Sequence, residues 1–396
     1  MSSPVLVLNS GSSSLKYSLV DAETGHVDAA GVAERVADPA GGPGILTHTG
    51  PDGERHRSEL ELPSHEAALR AALDAFDTHG PTLDPGALTG VGHRVVHGGE
   101  RFTRPTLVDD DLLDAIEDLV ALAPLHNPAN LEGLRVARRL FPQLPQVAVF
   151  DTAFHQTLPE HAYTYAVPRS WREEHDVRRY GFHGTSHRFV AGEAARLLGR
   201  PLESVNTIVL HLGNGASASA AAGDTSMGMT PLEGLVMGTR SGDVDPAIHA
   251  HLNRSLGWSV EQVDAALNRE SGLRGLAGVS DFRELDRLRD AGDPHADLAF
   301  QVYCYRIRKY VGAYYAVLGR LDAIAFTGGV GEKGPNVREH ALAGLDRLGI
   351  LVDPEANYAR GPAARRISPP DGEVAVLVVP TNEEWQIARD VLDVVG

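Results

Sequence analysis

Cysteine is almost absent from this sequence of 396 residues, which contains it once, as Cys304. A single thiol excludes an internal disulfide framework and a metal site built from several cysteines. Long apolar runs are also absent, because no stretch reaches the ~18–20 apolar residues that a membrane-spanning helix needs. No secretory signal precedes the first strand-like segment. We therefore expect a cytoplasmic chain without a membrane partner.

Positive charge is scarce as well. The 36 Lys and Arg residues are outnumbered by 53 Asp and Glu residues, so the formal net charge at pH 7 is −17. Proteins that bind nucleic acids need clustered Lys and Arg to contact the phosphates, and we expect no nucleic-acid partner here. The length is typical of two domains, each large enough to bury its own core.

Apolar runs alternate with segments of helical periodicity, which is typical of the α/β class. Strands are predicted at 5–9, 15–20, from 26 onwards, and at 146–150, 207–212, 216–221, 321–327 and 373–379. Helices are predicted at 64–78, 109–122, 130–140, 301–318, from 336 onwards and after 385. Gly, Pro, Asp and His dominate 38–64, where we expect a surface excursion. The position of Cys304 in an apolar helix indicates a small core residue.

Three turns rich in glycine or serine follow apolar strands, at 9–14, 213–217 and 328–334. In open α/β sheets the carboxyl ends of strands are where ligands bind. Backbone N–H groups, serine hydroxyls and the nearby Lys16 favour a phosphate ligand. The first two turns join similar strand–turn–strand units about half the chain apart, as a domain duplication would leave them, although such turns are common enough to leave the duplication open.

The third turn offers a different interpretation. Residues 329–334 match G-x-G-x-x-G, and Asp353 follows about 20 residues later, as in a dinucleotide-binding fingerprint. Too little chain remains after the turn for both halves of a Rossmann domain. A dehydrogenase therefore stays an alternative that rests on one short pattern.

Two arginines have glycine neighbours on both sides. Arg94 lies between Gly92 and Gly98, and Arg240 lies between Gly238 and Gly242. Glycine lets the backbone approach a ligand closely, and a guanidinium matches phosphate or carboxylate with two parallel hydrogen bonds. An ordinary salt bridge is the alternative for either arginine taken alone.

Carboxylates and histidines supply the other candidates. Asp151 ends a strand and Glu383 follows one; either could contact Mg²⁺ or simply cap a helix or complement its dipole. His183 and His187 have the spacing of a zinc motif, but Gly184 replaces the glutamate of H-E-x-x-H. We interpret His183 instead as a hydrogen-bond donor in a glycine-rich loop.

These segments, taken in order, resemble the acetate kinase family over nearly the whole length. The matching blocks are 5–16 (VLVLNSGSSSLK), 93–99 (HRVVHGG), 124–131 (PLHNPANL), 149–155 (VFDTAFH), 178–187 (RRYGFHGTSH), 211–217 (HLGNGAS), 230–246 (TPLEGLVMGTRSGDVDP), 280–284 (SDFRE) and 380–384 (PTNEE). The sequence departs from the family at Lys333, where Asn is usual, and at Met229, where Phe is usual.

The resemblance implies two duplicated α/β domains of the actin/hexokinase/Hsp70 type with an active-site cleft between them. Residues 1–150 with 384–396 would form the acyl and phosphate side, and 151–383 the nucleotide-binding and dimerisation domain. The implied reaction is Mg²⁺-dependent (or Mn²⁺-dependent) transfer of phosphoryl from ATP to acetate, giving ADP and acetyl phosphate, in a homodimer. A propionate or butyrate kinase is the alternative within the family, and an actin-like or Hsp70-like ATPase is the alternative outside it.

The resemblance also implies roles for individual residues. The catalytic residues would be Arg94, Asp151, His183 and Arg240. The acyl substrate would contact Arg94, Val96, Leu125, Phe182 and Pro231. The nucleotide and its phosphates would contact Ser12, Ser14, Lys16, His211, Leu212, Gly213, Asn214, Gly215, Asp281, Phe282, Arg283, Gly329, Val330, Gly331, Glu332 and Lys333. The metal would be held by Asn9 and Glu383. On this basis Arg94→Ala and Arg240→Ala should abolish most turnover, while His187→Ala should leave it near normal.

Overall fold

A computed structural model describes residues 3–38, 42–124, 126–359, 361 and 363–396. The chain divides into two compact units: residues 1–156 with 382–396 form unit 1, and residues 157–381 form unit 2. Strands and helices alternate in both units, which confirms the predicted α/β class. No helix among the described residues is long and apolar enough to cross a membrane.

Unit 1 is built on a mixed sheet with the strand order β5-β4-β3-β2-β1-β6-β8-β7. Its strands are β1 (Pro4–Gly11), β2 (Ser14–Asp21), β3 (Val27–Glu34), β4 (Gly44–Thr49), β5 (Arg55–Leu60), β6 (Gly90–Val95), β7 (Thr106–Leu107) and β8 (Gln146–Phe150). β1 to β5 form an antiparallel meander, and β1, β6 and β8 run parallel. β7 pairs antiparallel with β8 at the edge.

Helices cover both faces of this sheet. They are α1 (His65–His79), α2 (Asp110–Asp118), α3 (Asn127–Leu140) and the C-terminal α15 (Glu383–Val395). Alternate residues of a strand point to opposite faces, so Tyr17 packs with Phe76 of α1 on one face. Val5 and Val7 pack with Ile387 of α15 on the other. The last helix of the chain thus completes the core of the unit that contains the first strand.

Unit 2 repeats the architecture. Its strands are β9 (Asn206–Leu212), β10 (Ala216–Ala222), β11 (Thr225–Met229), β12 (Ala323–Thr327), β13 (Arg365–Arg366) and β14 (Ala375–Val378). The order β11-β10-β9-β12-β14-β13 reproduces β3-β2-β1-β6-β8-β7, and each pair has the same direction as its counterpart. This repeat is the duplication that the two strand–turn–strand units indicated, with β4 and β5 as an addition to unit 1.

The helices of unit 2 are α4 (Glu160–Tyr163), α5 (Arg169–His175), α6 (Gly184–Leu197), α7 (Ile248–Leu256), α8 (Val260–Ala265), α9 (Gly272–Ala277), α10 (Phe282–Asp290), α11 (Pro294–Leu318), α12 (Gly328–Lys333), α13 (Pro335–Leu342) and α14 (Pro354–Tyr358). The core of unit 2 packs around α11, where Phe300, Tyr303 and Ile307 are buried.

Short helical turns connect the longer elements of both units. Single 3₁₀ turns lie at Leu119–Leu122, Phe154–Thr157, Leu202–Ser204 and Asp346–Leu348, and a π-helical turn lies at Ala266–Glu270.

The predicted helix 301–318 begins earlier than expected, at Pro294. The side chain of Asp293 accepts hydrogen bonds from the backbone N–H groups of His295 and Ala296, and so caps this first turn. Cys304 on the same helix is a buried free thiol. Burial raises its pKa to about 12, which agrees with the predicted core role.

The expected surface excursion at 38–64 contains regular structure, because β4 and β5 form a hairpin at the edge of the sheet there. Two residues of this polar segment, Leu46 and His48, are nevertheless buried. Leu46 packs into the core, and Nδ1 of the buried His48 lies 2.9 Å from the hydroxyl of Tyr17. Residues 39–41 of this segment lie outside the described residues.

Candidate active site

In unit 1 the ends of the parallel strands β1, β6 and β8 and the start of α15 bring polar and charged side chains together. Arg94 lies near the end of β6, Asp151 directly follows β8, and Glu383 begins α15. The Arg94 guanidinium donates to the Asp151 carboxylate through Nη2, and its Nε lies 3.6 Å from Oε2 of Glu383. Nη1 of Arg94 donates to Oδ1 of Asn9, at the end of β1, over 3.4 Å. We call these four residues the unit 1 cluster.

Burial controls the electrostatics of the unit 1 cluster. Asp151 is 1 % exposed and Arg94 19 % exposed. Burial disfavours a charged guanidinium, but the carboxylates of Asp151 and Glu383 outweigh this cost and raise the pKa of Arg94. Burial and then repulsion by Asp151 raise the pKa of Glu383 to about 7, despite the opposing charge of Arg94. The carboxylates therefore outnumber the cation that holds them.

The donor atoms of the unit 1 cluster fit a magnesium ion. Asn9 supplies an amide oxygen and Glu383 a carboxylate, and oxygen ligands of this kind are those that Mg²⁺ prefers. A divalent cation would also relieve the repulsion between Glu383 and Asp151. Within the described part of the chain, no group of three or more His, Cys, Asp or Glu residues forms a site for a metal ion.

The predicted phosphate turn is the tight end of the β1–β2 hairpin. Gly11 pairs with Ser14, which leaves Ser12 and Ser13 exposed at the tip. Lys16 pairs with Asn9 across the two strands, so the amine and the unit 1 cluster belong to one edge of the sheet. The carbonyl of Gly11 is held 2.7 Å from Nε2 of the buried His65, a contact with no signal in the sequence.

The predicted acyl pocket is only partly described. Val96 follows β6 and is buried, whereas Leu125 lies outside the described residues. Phe182 and Pro231 are half-buried members of unit 2. Their segments are tied together there, because Arg179 donates to Glu233 through Nε over 2.8 Å.

In unit 2, His183 is hydrogen-bonded to a serine hydroxyl and stacked on a second imidazole. His183 has a left-handed backbone (φ 54°) directly before α6. Its Nδ1 lies 2.9 Å from Oγ of Ser217, and that hydroxyl also lies 2.7 Å from Nε2 of His187. The His183 ring stacks on His211 at 4.3 Å. The fully buried His187 thus contacts the same hydroxyl as His183.

A second chain of polar groups reaches His211. The hydroxyl of Ser186 lies 2.8 Å from Nδ1 of His211 and 2.7 Å from the hydroxyl of Thr381. A Cβ added at Gly215 would lie 3.6 Å from Nε2 of His183, so that imidazole borders the turn after β9. The predicted catalytic histidine and the predicted nucleotide turn are therefore neighbours.

Arg240 lies in a loop that is anchored on several sides. The backbone of Met237 is bonded to the Arg240 carbonyl at 3.1 Å and to the Leu273 N–H at 3.0 Å. Gly272 has a φ of 64°, and a Cβ there would lie 2.2 Å from the Met237 carbonyl, so only glycine permits this approach. The loop is thus held against α9.

Asp243 fixes the other end of the Arg240 loop to α11. Its carboxylate lies 3.2 Å from Nη1 of Arg306 and 3.1 Å from Nζ of Lys309, and it accepts a 2.8 Å hydrogen bond from the hydroxyl of Tyr310. Arg306 also donates to the Gly234 carbonyl at 3.0 Å. Three side chains of one helix turn therefore hold the loop, and they were not singled out from the sequence.

The predicted nucleotide segments converge within unit 2. Thr327 at the end of β12 pairs with His211 at the end of β9. The next residue, Gly328, has a φ of 74°, and a Cβ there would meet the Leu212 carbonyl at 2.7 Å. Close contact between these strand ends brings together the turn 213–215 and α12, which contains Gly329, Val330, Gly331, Glu332 and Lys333.

The third nucleotide segment joins the same region through Gly238. The Gly238 N–H donates to the Asn214 carbonyl at 3.0 Å, and a Cβ at Gly238 would lie 3.2 Å from the Ser280 carbonyl. Asp281 caps α10 and pairs with Arg283 at 2.7 Å. Hydrogen bonds from Arg283 lower the pKa of Asp281 to about 2. Phe282 packs edge-on against Tyr303 at 4.7 Å and so faces the core.

Arg338 is a functional candidate that sequence reasoning missed. It is fully buried, and its Nη1 donates to the carbonyls of Gly331 and Glu332 at 2.8 and 3.0 Å. Its Nε and Nη2 donate to the side chain and backbone of Asn357 at 2.8 and 3.0 Å. Burial and the charge of Arg365 lower its pKa to about 10. The cation thus holds the C-terminal end of α12, where the sequence suggested only a turn.

Comparison with known proteins assigns this architecture. The profile described as the acetokinase family matches residues 4–389. The chain belongs to the acetokinase family. Membership of the family excludes the dehydrogenase and the actin-like or Hsp70-like alternatives, because the family signature covers the G-x-G-x-x-G segment and both units.

Individual relatives match this chain over nearly its full length and their own. The acetate kinase of Leifsonia xyli is 56% identical over 398 residues, covering 100% of this chain and 99% of that protein. The crystal structure of Porphyromonas gingivalis acetate kinase has a TM-score of 0.94 at 42% identity, with 100% of both chains covered. A propionate kinase from Francisella tularensis has a TM-score of 0.89 at 39% identity, with 98% of both chains covered. The two-domain fold is therefore that of the family.

Proposed function

We propose that this protein is an acetate kinase that transfers the γ-phosphoryl group of ATP reversibly to acetate, giving acetyl phosphate and ADP. Family membership and the names of the full-length relatives support this assignment. The observation that carries it is the unit 1 cluster, a half-buried guanidinium held by Asp151 and Glu383 beside the amide of Asn9.

Direct in-line transfer suits these groups. A carboxylate that attacks phosphorus has no proton to lose, so the protein needs to position the reactants and neutralise charge on the transferring oxygens. Arg94 would bind the acyl carboxylate or the phosphoryl group, and Asp151 would orient Arg94 through their hydrogen bond. A role for Asp151 as a strong base is not required.

Unit 2 would supply the other stabilising groups. His183 has its Nδ1 on Ser217, and its imidazole would donate to a phosphoryl oxygen in the transition state. Arg240, on its anchored loop, would neutralise charge on the same oxygens. Preorganised donors of this kind are worth roughly 10²–10³ in rate each.

The nucleotide would bind to the convergent segments of unit 2. Ser12, Ser14 and Lys16 would donate to phosphate oxygens, and the exposed Lys333 would add a positive charge where the family usually has Asn. Mg²⁺ or Mn²⁺ would be held by Asn9 and Glu383, and when bound it would neutralise charge on the phosphate oxygens.

Kinases of one family can differ in the carboxylate that accepts the phosphoryl group. A pocket formed by Val96, Leu125, Phe182 and Pro231 would measure chain length, but one methylene is worth only ~1–3 kcal/mol in such a pocket. Propionate and butyrate are therefore alternative acceptors. The ratio of kcat/KM for acetate, propionate and butyrate decides among them.

We further propose a homodimer that works in the cytoplasm. Helix α7 buries no side chain in one copy of the chain, and Leu256 and Val260 are 59% and 69% exposed. A second copy would cover these residues, which light scattering in solution would detect. The buried thiol of Cys304 is compatible with a reducing compartment.

The test of the proposed activity measures acetyl phosphate as its hydroxamate, with ATP, Mg²⁺ and acetate. We expect acetate-dependent turnover in the wild type and a loss of roughly 10²–10³ in kcat for Arg240→Ala. Arg269→Ala is the matched control, because this exposed arginine lies outside the proposed site. Absence of acetate-dependent turnover would refute the function, and near-normal turnover of Arg240→Ala would refute the site.

A further inference from the structure

The side chain of Asn130, in the first turn of α3, joins two strand ends of unit 1. Its Nδ2 donates to the Ser10 carbonyl at 2.7 Å, and its Oδ1 accepts from the Val96 N–H at 3.0 Å. Asn130 is 3 % exposed, and both bonds are buried. One planar amide therefore contacts β1 and the segment after β6 together.

These two bonds occur where direct pairing has stopped. β1 and β6 pair in parallel as far as Leu8 and His93, while β6 continues along β8 as far as Val95. Beyond that point the carbonyl of Ser10 and the N–H of Val96 are bonded to the Asn130 side chain. The amide of Asn130 thus replaces a peptide group between the diverging strands.

The neighbours of the bridged atoms belong to the unit 1 cluster. Asn9 precedes Ser10, and Arg94 lies two residues before Val96. Nη1 of Arg94 and Oδ1 of Asn9 are 3.4 Å apart, at the long limit of a hydrogen bond. The separation of these two groups depends on how far the strands diverge, and the Asn130 amide is bonded to both segments at that point.

A second contact holds the same helix against Ser10. A Cβ added at Gly133, one turn after Asn130, would lie 2.2 Å from Oγ of Ser10. The helix therefore approaches the strand end as closely as glycine allows. Together the two contacts hold the Ser10 segment in one position relative to α3.

We propose that Asn130 is a positioning residue for the phosphoryl-transfer reaction, because it fixes the separation of Asn9 and Arg94 by bridging Ser10 and Val96. This inference rests on the proposed function for its kinetic consequence. Its structural part, the bridge itself, is independent of that function. Asn130 touches neither substrate, so its effect reaches the reaction through the two segments it holds.

The variant Asn130→Asp tests the bridge with almost no change in shape. The carboxylate still accepts from the Val96 N–H but cannot donate to the Ser10 carbonyl, which it repels. We expect kcat to fall roughly 10- to 100-fold, as small misplacements of reacting groups do. We expect the KM values for ATP and acetate to change less than about threefold, because each substrate keeps its other contacts.

Asn127→Asp is the matched control on the same helix. Asn127 is also buried, and it bonds to the backbone of His97 at 3.1 and 3.3 Å without any bond to β1 among those described. It should lower the melting temperature by a similar amount but leave kcat within about threefold of the wild type. An equal loss of kcat in both variants would overturn the proposal, because general destabilisation would then explain the effect.

Gly133→Ala covers the case in which Asn130→Asp does not fold. The added methyl would displace the Ser10 side chain and should also lower kcat more than it changes either KM. Normal kcat in folded Gly133→Ala, or in folded Asn130→Asp, would overturn the proposal.

Amide hydrogen exchange tests the bridge without any assay of turnover. In Asn130→Ala the Val96 N–H loses its acceptor and should exchange faster than in the wild type. Unchanged exchange at Val96 would overturn the bridge. If the wild type shows no acetate-dependent turnover, the proposed function fails, and the exchange result still decides on the bridge.

Discussion

Two histidines of unit 2, His183 and His187, are linked through one side chain. His183 and His187 are four residues apart, which suggests one shared metal ligand, but the group that they share in the structure is a serine hydroxyl. Oγ of Ser217 joins the two imidazoles, at 2.9 and 2.7 Å. Nδ1 of His187 lies 2.7 Å from Oγ of Ser219. A sequence shows neither serine as a partner, because both come from a strand that follows α6 in the chain.

This geometry reverses the expectation for His187→Ala. The change leaves the buried hydroxyl of Ser219 without its imidazole partner. It also removes one of the two imidazoles that hold the hydroxyl of Ser217, the group that contacts His183. We predict a loss of roughly 10- to 100-fold in kcat, the size expected when a reacting group is misplaced. Steady-state kinetics on the hydroxamate assay would measure it.

The exposed His251 provides the control for this substitution, since His251→Ala should keep the kcat of the wild type. If His187→Ala turns over within about twofold of the wild type, His187 is only a packing residue, and the hydrogen-bonded chain does not contribute to the rate.

Among the elements, strands formed by short apolar runs were predictable to within one or two residues. β8 and β9 show this, because each is a continuous Val-, Ile- or Leu-rich segment that is buried on both faces. The β4–β5 hairpin was not predictable, since its burial depends on the Tyr17–His48 contact between distant residues. Nor was α12, because its glycines favour a turn unless a side chain from outside holds its carbonyls.

Arg338 is that side chain, and its removal predicts a defect in nucleotide binding. In Arg338→Lys a single ammonium cannot replace a guanidinium that makes four hydrogen bonds in a plane. The C-terminal end of α12 then loses its anchor. We predict that the KM for ATP rises by about tenfold, with little change in the KM for acetate. Initial rates with each substrate varied in turn would show this split.

Arg347→Lys makes the same chemical change at an exposed position nearby in the sequence and should change neither KM. Equal increases in both KM values for Arg338→Lys would mean that the cation supports the whole unit and not the nucleotide segment.

At the scale of the whole molecule, the sequence indicated two halves through a pair of strand–turn–strand units. The structure extends this repeat to six strands in matching order. What the sequence could not indicate is the burial of two histidines of unit 1, because His93 and His97 are each 3 % exposed.

Burial lowers the pKa of both His93 and His97 to about 4, from 6.5 for an exposed histidine. Their contribution to stability is complete above pH 6.5 and is lost as the pH falls towards 4, because the unfolded chain binds protons first. At pH 5 each histidine should lower the free energy of unfolding of unit 1 by about 2 kcal/mol relative to pH 7.5. Urea unfolding followed by Trp385 fluorescence, with Trp171 and Trp258 replaced by Phe, would measure unit 1 alone.

Replacing both buried histidines with glutamine should flatten this pH dependence, whereas His26→Gln at an exposed position should not. A double variant that keeps the full loss of stability at pH 5 would assign the acid sensitivity to other groups.

The return of α15 to unit 1 has a consequence for how the molecule is made. Unit 2 is one continuous piece of chain, 157–381, while unit 1 contains both the first strand and the last helix. During synthesis the face of the sheet formed by Val5, Val7 and Val147 has no covering helix until Ile387 and Val391 have been added. The half that is translated first is therefore the half that is completed last, after every strand of the other sheet has left the ribosome.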